Sequence, residues 1–153
     1  MDACGGDGDH RGMRAARQPD ISVLVADDDE AVRFLLTTVL RATDGIGSVV
    51  EAVDGPGAVE AGRRRRFDVA VLDLQMPRCD GVEAALRLHE LQPWLRIALD
   101  SGDRTRLHER GAGLGLPLFD KLQLEALFDW VEEQAHELAA GTAATPSALL
   151  RSR

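Results

Sequence analysis

Four apolar runs in this sequence end in carboxylates. "ISVLVA" is followed by Asp27, Asp28 and Asp29. "FDVAVLDL" carries Asp73 near its end, "LRIAL" runs into Asp100 and Ser101, and "PLF" into Asp120 and Lys121. Lys121 is the only lysine; the rest of the 18 basic residues are arginine. A compact ammonium on a flexible stem does what a planar guanidinium cannot. Carboxylates brought close together repel one another and persist where a cation neutralises them. Hard oxygen ligands without His or Cys favour Mg²⁺ (or Mn²⁺) over zinc. A metal, an ammonium and a hydroxyl around one carboxylate are the parts needed to stabilise a phosphoryl group. Against this stands a plainer reading, because aspartates are common at strand ends, where loops are polar and helices need caps. Asp29 fits such a cap. The plainer reading requires coincidence at four separate strand ends.

The elements between these residues decide whether they can meet. Residues 21–26, 48–53, 67–74, 95–99 and 117–120 read as strands, rich in β-branched and apolar residues. Val32, Leu35, Leu36, Val39 and Leu40 recur at helical spacing in the segment after the first strand. Asp54 and Pro56 mark the start of a second helix. Residues 81–92 form a third that stops at Pro93, 103–113 a short polar fourth, and 124–140 a fifth. Strands alternating with helices imply parallel βαβ units and a three-layer α/β sandwich. Ligands of such open sheets sit at the carboxyl ends of the strands, where the acids stand.

The bulk properties narrow the possibilities. The 153 residues fit one domain. A net charge of −8 argues against a nucleic-acid or anionic-membrane surface. Cys4 and Cys79 make no disulfide framework and suit a reducing cytosol. No apolar run is long enough to span a bilayer. Residues 1–20 read as a disordered leader, 21–140 as the domain and 141–153 as a flexible tail. The arginine run 63–66 reads as a solvated helix end. His10, His89, His108 and His136 lack metal spacing and read as surface residues. Cys79 reads as a small core residue, Trp130 as partly packed, and Trp94 as the cover of a helix end.

The chain resembles the receiver domain of bacterial two-component response regulators, in its single-domain form. "VLVADDDEAVR" is similar to the family's first strand with its acidic pair, here Asp27 and Asp28. "VAVLDLQMPRCDG" resembles the phosphorylation motif, with Asp73 as the phospho-acceptor. "LDSGD" matches the hydroxyl position at Ser101, and "LFDKL" the lysine at Lys121. The resemblance implies a doubly wound, flavodoxin-like five-stranded parallel sheet of order 2-1-3-4-5. It further implies that Asp28 and Asp73, the backbone carbonyl of Gln75 and, through a water, Asp27 hold Mg²⁺. Lys121 and Ser101 would bond the phosphoryl oxygens. The implied phosphodonor is a histidine kinase or histidine phosphotransfer protein. The implied output is a protein target on the surface of helix 4, strand 5 and helix 5, without nucleic acid or membrane; a homodimer is compatible with it. The implied location is cytoplasmic, and the implied chemistry is self-phosphorylation and autodephosphorylation at Asp73 rather than turnover.

The sequence departs from the family in places. Leu122 stands where proline is usual after the lysine. A non-proline cis bond costs about 2.5–4 kcal/mol, so a trans bond and a shifted loop are expected. Asp100 replaces an apolar residue and is expected to be partly exposed or paired with Arg104 or Arg106. Leu118 lies where an aromatic switch residue is common. Two rival readings follow. One is a pseudo-receiver that only binds a partner. The other is a Mg²⁺-dependent phosphohydrolase with an aspartyl nucleophile, disfavoured because Leu74 and Gln75, not a second Asp, follow Asp73.

Overall fold

The computed structural model describes residues 20–141. The expected leader and tail fall, but for Asp20 and Gly141, outside the described residues, as do Cys4 and His10. Five strands and five helices alternate. They run β1 (Ile21–Ala26), α1 (Glu30–Arg41), β2 (Ile46–Ala52), α2 (Gly55–Arg64), β3 (Val69–Asp73), α3 (Gly81–Leu91), β4 (Arg96–Ser101), α4 (Arg104–Gly111), β5 (Leu118–Asp120) and α5 (Leu124–Ala139). The sheet order is β2-β1-β3-β4-β5 and every pairing is parallel. This is the flavodoxin-like order that the resemblance implied.

Alternation along the buried strands divides the core in two. Leu24, Ala70, Leu72, Ile97 and Leu99 pack with Ala58, Ala84, Leu88 and Leu107 of α2, α3 and α4. Val23, Val25, Val69, Val71 and Ala98 pack with Leu36, Leu40, Leu127 and Val131 of α1 and α5. Four helices start on an aspartate whose carboxylate accepts backbone N–H groups: Asp29, Asp54, Asp80 and Asp103. The sequence marks only the first two as caps.

Strand boundaries differ from expectation at two places that matter. β2 starts earlier and stops at Ala52, leaving Val53 outside the sheet and exposed. β4 runs on through Asp100 and Ser101, because their carbonyls accept from Leu74 N at 2.8 Å and Lys121 N at 3.0 Å. In register, Ala26 lies beside Leu72, Asp73 beside Asp100, and Ser101 beside Asp120. The pairing therefore brings Asp73, Asp100 and Asp120 to the carboxyl end of the sheet.

Candidate functional site

Asp27, Asp73 and Asp100 continue the strand positions whose side chains pack toward α1 and α5, so they leave the sheet on one face. Asp27 is fully buried, and its backbone carbonyl accepts from the Arg33 guanidinium at 2.8 Å. Its Oδ1 accepts from Asp29 N at 2.9 Å, which fixes the turn into α1. Asp73 Oδ1 accepts from Gln75 N at 3.1 Å. Lys121 Nζ lies 2.8 Å from Asp27 Oδ2 and 3.1 Å from Asp73 Oδ2. One ammonium thus bridges two buried carboxylates, one just after β1 and one at the end of β3.

Asp28 is exposed and completes an acidic triplet. Carboxylate oxygens of Asp27, Asp28 and Asp73 all lie within 4.8 Å of one another. A set of oxygen donors with no His or Cys suits a hard divalent cation. Asp73 itself is only 3% exposed. Even so, it lines an open crevice together with Asp28, Asp29, Gln75, Gly102 and Lys121.

The electrostatics follow from the crowding. Burial pushes the Asp73 carboxyl up to about 6, with Asp27 adding to the rise and Lys121 and the Gln75 N–H opposing it. Burial works against the charge of Lys121, but Asp27, Asp100 and Asp73 outweigh it and hold the ammonium above its ordinary range.

Ser101 is brought near but not into this cluster. It is buried, and its Oγ accepts from Asp103 N at 3.0 Å, ahead of α4. The Leu122 bond is trans, since no cis peptide occurs among the described residues. Leu122 is exposed and its N–H donates to Asp120 Oδ1 at 2.8 Å.

Asp100 contradicts the expectation of exposure or pairing. It is 0% exposed, and neither carboxylate oxygen has a hydrogen-bond partner among the described residues. Arg104 instead pairs with Asp120 at 3.2 Å and Arg106 with Asp103 at 3.8 Å. The cause is the extra length of β4. Asp100 is held inside the sheet, beside Asp73 and under α5, while both arginines lie on α4 beyond the strand end. Burial pushes its carboxyl up to about 7, with Lys121 opposing and Asp27 and Asp73 reinforcing the rise.

The remaining features are structural. Arg65 donates to Ser22 and Ser48 at 3.0 Å, Arg63 and Arg64 pair with Glu60, and Arg66 lies over Trp94. Cys79 is buried and free, and His89 is half-buried rather than on the surface. Phe119 packs on Trp130 with ring centroids 5.9 Å apart, so an aromatic contact exists one residue beyond Leu118.

Comparisons with known proteins bear on the same stretch. Residues 23–116 match the family described as response regulator receiver domain. A protein-glutamate methylesterase/protein-glutamine glutaminase of Azospirillum brasilense is 36% identical over 102 residues, 67% of this chain and 25% of that protein. Another of that name, from Myxococcus xanthus, is 43% identical over 68 residues, 44% of this chain and 19% of that protein. The chain thus spans about a quarter or less of these curated relatives. The receiver domain of Francisella response regulator 1452 superposes with a TM-score of 0.66 at 26% identity, covering 78% of this chain and 99% of that one. The response regulator domain of Thermotoga maritima CheB does so with 0.64 at 25%, covering 79% and 97%.

Proposed function

Because the chain belongs to the response regulator receiver domain family, we propose that Asp73 accepts a phosphoryl group from a phosphohistidine on a histidine kinase or histidine phosphotransfer protein. The observation that carries this reading is the Lys121 ammonium, 3.1 Å from Asp73 Oδ2 at the wall of an open crevice. A carboxylate can attack phosphorus and form an acyl phosphate. Here an Asp73 oxygen would bond phosphorus while the P–N bond to the donor imidazole breaks and its electron pair returns to the ring. Asp73 must be ionised to attack, and a carboxyl near 6 is mostly so at neutral pH. Lys121 follows the negative charge as it moves from carboxylate to phosphoryl oxygens, within reach of its flexible stem. Ser101 gives the group a hydroxyl once its Oγ leaves Asp103 N–H.

Asp27, Asp28, Asp73 and the carbonyl of Gln75 would hold Mg²⁺ (or Mn²⁺), which supplies neutralising charge for the transferred group. The oxygen-only triplet supports that choice. The downstream partner is a protein docking on α4, β5 and α5, and the domain works in the cytoplasm; no helix among the described residues is long and apolar enough to cross a membrane. The domain covers residues 21–140, with the segments on either side outside it.

Incubation with acetyl phosphate and Mg²⁺, followed by intact mass, tests the assignment. One added phosphoryl, about 80 Da, which is lost in Asp73→Asn, supports it. An unmodified wild-type protein favours a binding module that takes no phosphate. Continuous release of phosphate from many esters favours a phosphohydrolase.

A further inference from the structure

The residue after Lys121 has a use that proline could not fill. Asp120, 9% exposed, accepts the Leu122 N–H on Oδ1 at 2.8 Å, and its backbone carbonyl accepts Gln123 N at 2.8 Å. These two bonds close a turn with Lys121 at its second position. Proline has no N–H to donate and is disfavoured at the third position of a common turn. The other oxygen of Asp120, Oδ2, lies 3.2 Å from Arg104 Nε. Arg104 is the first residue of α4. Two more bonds converge here: Lys121 N donates to Ser101 O at 3.0 Å, and Asp103 N to Ser101 Oγ at 3.0 Å. The first turn of α4, the end of β4 and the lysine loop therefore meet in one short network.

We propose that Asp120 and Arg104 are positioning residues for Lys121, linking the lysine turn to the start of α4 in place of the proline usual in the family. The inference rests on the phosphoryl-acceptor reading for its functional consequence. Asp120 orders the turn from within, and Arg104 fixes Asp120 from the helix. Any movement of Ser101 that releases Asp103 N–H would loosen the same helical turn that carries Arg104. The lysine and the helix are coupled through this pair.

Lys121 is the only lysine, so its amine can be followed by mass after mild acylation, apart from the chain's α-amine. The acylation rate needs no phosphorylation. The full chain would be compared with Arg104→Gln, Asp120→Asn, their double variant, Arg104→Lys and Leu122→Pro. Asn keeps the oxygen that accepts Leu122 N–H and loses the charge. An exposed arginine contributes modestly, so each charge-removing single variant should acylate about threefold faster and load phosphoryl from acetyl phosphate about threefold slower. The double variant should be no worse than either single one, as expected for partners. Arg104→Lys adds a second amine and is therefore read only by phosphoryl loading, which it should restore most of the way to the wild-type rate. Leu122→Pro should also load more slowly, although it installs the family's usual residue on an exposed site. Unchanged lysine reactivity in the single variants, or a double variant with multiplied effects, overturns the link. If acylation responds as expected but the wild-type chain never loads, the link stands and the phosphoryl-acceptor reading fails.

Discussion

Replacing Asp100 by valine should make the metal-free protein more stable, and increasingly so as pH rises. The side chain is fully buried, has no hydrogen-bond partner among the described residues, and stands beside Asp73 in the sheet. Its carboxyl is pushed from the usual 3.8 up to about 7. A carboxyl with a higher pKa in the folded chain favours folding while it is protonated. That contribution is complete below the unfolded value of 3.8, shrinks as pH climbs between the two, and is gone above about 7. The gap amounts to about 4 kcal/mol of stability, lost from the acid limit to neutral pH. Valine has a similar volume, suits a strand and carries no charge. In urea titrations with EDTA present, the advantage of Asp100→Val should grow by about 3 kcal/mol between pH 5 and pH 8. For a chain of this size, 3 kcal/mol corresponds to roughly 6–12 °C in Tm. An advantage that does not change with pH, or a valine variant less stable at pH 8, would refute the view that the charge buried there is only partly offset by Lys121.

Three further outcomes follow from the same geometry. Divalent-cation affinity, measured by thermal shift against Mg²⁺ concentration, should fall at pH 5 relative to pH 8, because protons compete for Asp73 below its value of about 6. Gly81→Ala should lower stability and slow loading from acetyl phosphate together, since a Cβ there would lie 2.4 Å from the Asp73 carbonyl oxygen; urea midpoints and intact mass check this, with a cost of about 1–3 kcal/mol. Ser101→Ala removes the acceptor for Asp103 N–H and should speed hydrogen exchange in the first turn of α4 by a few-fold to tenfold, matching a cap loss of about 1 kcal/mol.

Much of this arrangement was legible in the sequence because strand periodicity and parallel alternation leave few topologies. Asp27, Asp28, Asp73 and Lys121 were placed by their positions after apolar runs, and the structure brings all four together. Asp100 was misread because a strand's end cannot be fixed from apolar content alone. The ladder bonds from Leu74 and Lys121 carry β4 two residues further, and with it the side chain into the interior. The Arg104–Asp120 pair was not legible either, since it depends on where α4 begins relative to β5. Arg78 gave no warning of its left-handed backbone, φ 68°, or of its 2.5 Å pair with Asp54. Asp103 could have been found as a cap, being an Asp directly ahead of a helical segment.

The ammonium and the first of the two carboxylates it bridges come from opposite ends of the described chain, Asp27 just after the first strand and Lys121 just after the fifth. A chain being made on the ribosome has both carboxylates long before it has their counter-charge. The cluster of buried charges is therefore completed late in synthesis, once the fifth strand has docked, and until then Asp27 and Asp73 stand without their ammonium.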